Sequence, residues 1–412
     1  MDLRARLARL DGLNRKPEPP LRADFQEPGA ALARLGLVET PGPGGPVWMS
    51  GSEAELDPPP GGVPDLAGFL RRTSAGGIAP GDVLFLDTET TGLAGGTGTI
   101  PFLVGAAWWD GDRFRIRQYF LPDPGREDAM LAALADLARR FRVVATYNGA
   151  AFDLPLLRSR SVVNRSRDPL AGLESWDLLV SARRLWSRSL PDCRQQTIET
   201  HLRGAPRGAG DIDGSLIPRT WFAFLRGEDA GDLERVLRHN RRDMEGMGVV
   251  FLAVCRWAGS VDDPDRHAQV GWRLAWSLAR IAAARGNLDA GCAWLARALD
   301  VLAGQGPGPV RDLAPAGLWR DGLVLAKRAR RHHLSRRIIQ AALTADPRSP
   351  RLHREAAILF EHRLPQLDRA LEHAFQSDEP RRVRRLQRKL SRAGRACPPG
   401  REEGSNEHAD QG

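Results

Sequence analysis

The sequence predicts a mixed α/β domain in the middle of the chain, followed by an all-α region. Three observations predict it. Apolar runs of strand length, Val83–Asp87, Phe102–Trp109, Phe114–Leu121 and Val143–Tyr147, alternate with helical patterns. The second and third runs are joined by Asp110-Gly111-Asp112, a hairpin signal. Beyond Val270 the strand pattern stops and successive helical patterns take over. Strand, hairpin, helix, strand and then helices describes a mixed sheet flanked by helices.

Taken in order, residues 1–82 read as a Pro/Gly-rich leader, partly disordered. They are punctuated by Pro17-Glu18-Pro19-Pro20, Pro41-Gly42-Pro43-Gly44-Gly45-Pro46 and Pro58-Pro59-Pro60-Gly61-Gly62. Leu3, Leu7, Leu10 and Leu13 predict a short amphipathic helix at the start. Regular structure is expected from about Val83, with an α/β domain over residues 83–257. Within it Met130, Leu131, Leu134 and Leu137 set a helix over Ala129–Phe141, and Leu154–Leu157 opens another. Thr220–Leu225 and Leu233–Val254 also read as helical. Residues 270–375 predict a helical domain. Trp272–Ala284 and Ala290–Leu302 pair around Arg285-Gly286-Asn287, and Leu318–Arg331, Ser335–Ala345, Arg351–His362 and Leu367–Phe375 continue the rhythm. Small residues facing large ones, with Asp346-Pro347 after a helix, resemble degenerate tetratricopeptide-type repeats; a plain helical bundle fits equally well. Residues 376–412 read as a basic helix and a disordered tail. The helix carries Arg381, Arg382, Arg384, Arg385, Arg388, Lys389, Arg392 and Arg395 with no acidic residue in the same window, which favours phosphate contact over a merely solvated face.

Composition narrows the function classes. The chain has 412 residues and is 42% hydrophobic, enough for sizeable cores. No apolar stretch reaches the ~20 residues of a membrane span, so no membrane partner is expected. Met1-Asp2-Leu3-Arg4-Ala5-Arg6-Leu7 lacks the apolar core of a secretory signal. Cys193, Cys255, Cys292 and Cys397 are scattered with no C-x-x-C pair, which argues against a zinc site or disulfide framework and predicts a reducing, cytoplasmic setting. The net charge of +9 favours polyanionic partners, nucleic acid above all. Only Lys16, Lys327 and Lys389 are lysines among 60 basic residues. Codon usage explains arginine in place of lysine but not the positive sum, and guanidinium groups fork onto phosphates and stack on bases.

The most informative residues are Asp87-Thr88-Glu89-Thr90, at the end of the apolar run Val83–Leu86. On a strand Asp87 and Glu89 point to the same face. Two carboxylates side by side call for a cation between them, and oxygen ligands suit a hard divalent ion. The same residues on a solvated turn would carry no chemistry. Tyr147-Asn148-Gly149-Ala150-Ala151-Phe152-Asp153 follows the strand Val143–Tyr147 and places Asp153 at a helix start, as a cap or as a third metal-facing carboxylate. His239 and Asp243 lie four apart on the long helix Leu233–Val254 and share one face, as a surface pair or as a metal ligand with a group that orients water. The glycine run Gly92–Gly98 lacks the Lys-Ser/Thr of a P-loop; it forms a tight loop or lets backbone N–H groups approach a substrate strand. Asp177 reads as a helix cap, and Arg183-Arg184 as a pair lining a phosphate path.

Together, Asp87-x-Glu89, Tyr147-Asn148-x-x-x-Phe152-Asp153-x-Pro155 and an Asp243 four residues after a ring side chain resemble the DEDD exonucleases of the RNase H-like superfamily. The middle motif is similar to that of the proofreading domains of B-family DNA polymerases. Asp87–Gly98 with Phe102-Leu103-Val104-Gly105, and Asp211-Ile212-Asp213-Gly214-Ser215-Leu216-Ile217-Pro218, resemble more closely the bacterial YprB-type RNase H-like proteins. The resemblance covers residues 83–257 and extends only loosely to the helical tail. It implies an RNase H-like mixed sheet and a metal-dependent 3′–5′ exonuclease acting on single-stranded DNA or RNA. It implies that Asp87, Glu89, Asp153 and Asp243 hold two divalent cations, Mg²⁺ or Mn²⁺. It implies substrate contacts at Thr90, Gly92, Leu93, Tyr147, Asn148 and Phe152. The family's last motif has a tyrosine four residues before the final Asp or a histidine five before it; here His239 stands at the tyrosine's position, and it is expected to accept a proton from the attacking water or to orient it. Two rival readings stay open: a non-catalytic adaptor with a nuclease-like fold, whose helical repeats bind a protein or nucleic acid, and a structure-specific endonuclease.

Overall fold

The computed structural model describes residues 28–70, 77–92, 98–208, 210–228, 231–267, 269–304 and 316–394. Among them a seven-stranded sheet is built from β1 (Val38–Thr40), β2 (Val47–Ala54), β3 (Val83–Thr90), β4 (Pro101–Asp110), β5 (Arg113–Phe120), β6 (Val143–Thr146) and β7 (Glu174–Asp177). Their spatial order is β1-β2-β5-β4-β3-β6-β7. Neighbours from β1 to β3 are antiparallel, whereas β6 and β7 run parallel to β3. The turn Gly111-Asp112 closes the β4–β5 hairpin, with Asp110 paired to Arg113 and Gly111 at φ 65°. This is the mixed sheet of the RNase H-like fold.

β3 lies between two cores. Val83, Leu84, Phe85 and Leu86 are all fully buried, as expected of a strand covered on both faces. Alternation sends Val83 and Phe85 to one face and Leu84 and Leu86 to the other, and each pair belongs to a different apolar cluster. Asp87 and Glu89 continue the Phe85 face into the polar end of the strand.

The helices of this part are α1 (Pro28–Arg34), α2 (Glu127–Ala138), α3 (Asp153–Val163), α4 (Leu178–Trp186), α5 (Gln195–Arg203), α6 (Ile217–Leu225) and α7 (Gly231–Ala258). α2, α3 and α6 cover the Leu84 face, through Met130, Leu134, Leu157 and Trp221. α7 changes cores along its length. Leu233, Val236 and Leu237 pack on the Leu84 side, while Met244, Met247, Val250, Phe251 and Val254 pack on the Phe85 side. Phe251 meets Phe85 edge-on at 5.3 Å between ring centres. The changeover between these apolar groups carries His239, Asn240 and Asp243. Polar side chains stand there because neither core claims that turn of the helix.

α8 (Trp272–Ala284), α9 (Leu288–Gly304), α10 (Ala316–Arg328), α11 (His332–Ala345), α12 (Pro350–His362), α13 (Leu367–Phe375) and α14 (Pro380–Arg392) follow. Gly286 turns the chain between α8 and α9 at φ 91°. Their core is continuous with the α7 side of the sheet, and the Trp294 indole N–H donates to the Val261 carbonyl at 2.7 Å. No helix among the described residues is long and apolar enough to cross a membrane. Cys193, Cys255 and Cys292 are free thiols; Cys397 lies outside the described residues.

Two expectations need correction. Regular structure does not begin at Val83: α1, β1 and β2 precede it, and β2 extends the sheet by pairing with β5, Trp48 opposite Phe120 and Ala54 opposite Phe114. Pro41–Pro46 and Pro58–Gly62 form turns around these elements, while Pro17–Pro20 and the predicted helix of Leu3–Leu13 lie outside the described residues; β2 owes its order to a partner strand far along the chain. The basic helix is not without acidic partners. Glu361, on α12, has a fully buried side chain and accepts from Arg382, Arg385 and Lys389 of α14 at 2.8, 2.7 and 2.7 Å. Glu379 also binds Arg382. Arg395 and the tail beyond it lie outside the described residues.

Candidate metal centre

The site forms where β3 ends, at the level of the α7 changeover. Asp87 and Glu89 are half-buried there. Asn240, fully buried on α7, donates from Nδ2 to Asp87 Oδ2 at 3.0 Å. Asp153 opens α3 and accepts at one oxygen, Oδ1, from both the backbone N–H and the hydroxyl of Thr88, at 3.1 and 2.5 Å. Thr88 faces away from Asp87, and its two bonds to Asp153 bring that carboxylate to the same end of β3. Gly149 makes this approach possible. A Cβ there would stand 2.6 Å from Asp153 Oδ2 and 2.6 Å from Thr146 Cβ. Asn148, at φ 66°, turns the chain out of β6, and its N–H is held by Asp177 Oδ1 at 2.9 Å. The same oxygen caps α4 through Leu179 N–H at 3.0 Å, as the sequence suggests.

Ligand atoms of Glu89, His239 and Asp243 all lie within 4.8 Å of one another. Asp243 Oδ2 is 3.2 Å from His239 Nε2, and Asp243 Oδ1 accepts from Arg207 at 2.6 Å. His239 Nδ1 is 2.8 Å from Asp211 Oδ1. Arg207 in turn is gripped by Glu199 at 2.5 Å, and Gln195 donates to the Asp243 carbonyl at 2.7 Å. Gly246, one turn along α7, leaves room for Glu199, whose Oε1 would be 1.8 Å from a Cβ.

The electrostatics are those of crowded carboxylates. Burial, then the charges of Asp153, Asp243 and Glu89, push the Asp87 carboxyl well above its ordinary range, against the opposing pull of Asn240. Glu89 is pushed well up by burial and then by Asp243, Asp153 and Asp211. Burial also raises Asp153, although the Thr88 hydroxyl and backbone bonds partly offset it. Asp211 moves the other way: burial works against its charge, but His239, Arg207 and Arg242 outweigh it and lower its carboxyl. Among the described residues the cations that touch the quartet are Arg207 and, when protonated, His239, both at Asp243. Among the described residues Asp87, Glu89 and Asp153 therefore have no cationic side chain beside them to favour their ionised forms. Oxygen donors in this state fit divalent cations.

Residues 84–251 match the family model RNase_H_2, of the RNase_H superfamily. Over 215 residues the chain is 33% identical to the uncharacterized protein YprB of Bacillus subtilis (strain 168), covering 52% of each sequence. It thus spans about half the length of that relative. A family B DNA polymerase from the hyperthermophilic archaeon Pyrobaculum calidifontis aligns over 61% of this chain and 33% of its own, with 14% identity and a TM-score of 0.33, a weak likeness. The fold is RNase H-like.

The remaining expected residues divide. Phe152 is 56% exposed beside Asp153. Tyr147 instead spends its hydroxyl on the Cys193 carbonyl, at 2.6 Å, tethering the loop after α4. Thr90 bonds the Gly92 carbonyl at 2.9 Å and shapes the chain where it leaves β3. Leu93 and most of the glycine run lie outside the described residues. Arg184 does not face the site: its guanidinium is bound to the carbonyls of Gly68 and Leu70, which ties the segment before β3 to α4. Arg183 is exposed on the same helix. Sequence reasoning missed Asn240, Arg207, Glu199 and the role of Asp211. Only Asp211 had a signal, its place in the Asp211–Pro218 stretch.

Proposed function

We propose that this protein is a metal-dependent nuclease, a 3′–5′ exonuclease of the DEDD type acting on single-stranded nucleic acid. The observation that supports the reading most is that ligand atoms of Glu89, His239 and Asp243 lie within 4.8 Å of one another, with Asp87 and Asp153 near enough for the carboxylates to raise one another. In this reading the four carboxylates hold two divalent cations, Mg²⁺ or Mn²⁺, and His239 completes the reacting centre. Bound cations supply charge neutralisation, a more acidic attacking water and stabilisation of the leaving oxygen. The chain's own residues aim the ligands: Asn240 fixes Asp87, Thr88 fixes Asp153, Arg207 fixes Asp243 and Asp211 fixes His239. Phe152, exposed beside Asp153, offers a face on which an unpaired terminal base can stack, which favours single strands.

Nucleic acid is the partner we infer, reached first through charge. Arg381, Arg384, Arg388 and Arg392 are exposed, spaced three and four residues apart, and form one stripe of α14 that Glu361 does not engage. We read the helical pairs α8–α13 as tetratricopeptide-like and suited to a protein partner, and the setting as cytoplasmic.

The test is degradation of end-labelled single-stranded RNA and DNA with Mn²⁺ or with EDTA, using wild type beside Asp87→Ala. The expected result is a metal-dependent ladder from the 3′ end that the substitution abolishes. Intact polymers with folded wild-type protein would overturn the reading and favour the adaptor.

A further inference from the structure

His239 has one ring nitrogen tied down and the other turned into the site. Nδ1 sits 2.8 Å from Asp211 Oδ1. An ionised carboxylate only accepts, so Nδ1 carries the proton, and in the neutral ring the lone pair belongs to Nε2. Nε2 is 3.2 Å from Asp243 Oδ2. Arg207 occupies the other oxygen of Asp243 at 2.6 Å, so Oδ2 is the oxygen left for the site. Two lone pairs facing each other at this distance repel unless a proton or a metal ion lies between them. The separation is close to the roughly 3 Å between adjacent donors when each bond to an ion is about 2.1 Å. A Glu89 oxygen completes the set.

The arrangement Asp211–His239–site has the form of a carboxylate that fixes the tautomer and basicity of a metal-binding imidazole. We propose that His239 is a metal ligand, giving one cation position the donors His239 Nε2, Glu89 and Asp243, and that this nitrogen makes the centre select a first-row transition ion such as Mn²⁺ over Mg²⁺. The inference rests on the metal centre proposed above. Its chemical basis is that Mg²⁺ prefers oxygen donors and sheds water reluctantly, whereas imidazole suits transition metals. Asp211 is then a positioning residue. A histidine that served only as a proton acceptor would need the same bond to Asp211 but would leave metal choice untouched.

The experiment is direct binding of Mn²⁺ to the full chain without nucleic acid, followed by loss of the free-ion electron paramagnetic resonance signal and competed with Mg²⁺. Wild type is expected to prefer Mn²⁺ by about 100-fold or more, His239→Ala to lose at least about tenfold in Mn²⁺ affinity with Mg²⁺ affinity unchanged, and Asp211→Asn to fall between them. Equal Mn²⁺ affinity and equal Mn²⁺/Mg²⁺ preference in wild type and folded His239→Ala would overturn the inference. A readout that needs no variant is the electron spin echo of Mn²⁺ bound to wild type: ¹⁴N coupling from a coordinated imidazole is expected, and bound Mn²⁺ without it would also overturn the inference. Wild type that binds neither ion would remove the metal centre itself, a failure distinguishable from an Mn²⁺ site without nitrogen.

Discussion

Asn240 Nδ2 donates to Asp87 Oδ2 at 3.0 Å while its own Oδ1 accepts from Gln118 Nε2 at 2.9 Å. Gln118 also donates to the Leu237 carbonyl at 2.8 Å. The amide of Asn240 is thereby oriented from behind, with its donor end presented to the carboxylate. Gly105, opposite Asp87 on β4, admits it: a Cβ there would lie 2.4 Å from Asn240 Oδ1. Asn240→Asp keeps the shape and exchanges the donor for a second negative charge. The expected result is a loss of about 1–3 kcal/mol in metal-free stability at pH 8, shrinking at pH 5 as the new carboxyl takes up a proton. Urea denaturation at the two pH values checks it; equal losses would show that charge is not the cause.

Gly149→Ala tests the geometry around Asp153. The added methyl would meet Thr146 Cβ, which cannot swing aside, and the Asp153 carboxylate. Nuclease kcat/KM is expected to fall by about 100-fold or more through displacement of Asp153. Gly208→Ala, where a Cβ meets nothing within 4 Å, is the control and should keep its rate. An active Gly149→Ala enzyme would mean that Asp153 does not need this position.

Legibility in the sequence followed the range of the interactions. The Asp87/Glu89 pair is readable because strand alternation is local, and the His239/Asp243 pair because a helix turn is local. The β4–β5 hairpin announces itself through Gly111. β2 was hidden because Trp48–Ala54 is ordered by β5, sixty or more residues away, inside a stretch whose prolines and glycines look like linker. β7 is only Glu174–Asp177 and shows no alternation long enough to detect. Asn240, Arg207 and Glu199 carry no spacing that marks them. Arg207 comes from the loop after α5 and reaches Asp243 only through the folded chain. The basic window over residues 381–395 looked unneutralised because its counter-charge, Glu361, lies on α12.

The stability of the metal-free protein should depend on pH with an unusual sign. Asp87, Glu89 and Asp153 all have carboxyls raised in the folded state. A raised group adds stability that is present below its unfolded value, near 4 for a carboxyl, and is lost as pH rises through its folded value. In EDTA the melting temperature is therefore expected to fall between pH 5 and pH 8. Asp87→Asn removes one of the repelling charges and keeps a group that can bond within the site. It should raise the metal-free melting temperature at pH 8 by about 2–4 °C, the effect of roughly 1 kcal/mol in a domain of this size, while abolishing cleavage. Saturating Mn²⁺ should stabilise wild type more than the variant, which keeps only the position held by His239, Glu89 and Asp243. A variant that melts at or below wild type in EDTA would show that repulsion is not stored at the site.

Glu361 should make the helical region respond to acid in the opposite direction. Burial alone would raise its carboxyl, but Arg385 and Lys389, with His362, outweigh it and bring the group from an ordinary 4.5 down to about 2. A depressed group adds stability that is present above its unfolded value and lost as pH falls toward the folded one, here from about 4.5 toward 2. Arg385 and Lys389 are half-exposed, so solvent screens part of the effect, and about 1–3 kcal/mol is expected rather than the full shift. Glu361→Gln should speed amide exchange in α12 and α14 at pH 7 and remove the extra loosening of wild type at pH 3. Unchanged exchange in α14 would show that its Leu386 and Leu390 anchors hold it without the charges. Arg381, Arg384, Arg388 and Arg392 do not take part in this cluster, so nucleic-acid affinity separates the two roles of the helix. Glu361→Gln should leave that affinity equal or higher, because it frees positive charge, while a combined Arg384→Ala and Arg388→Ala change should lower it and flatten its salt dependence by about two phosphate contacts.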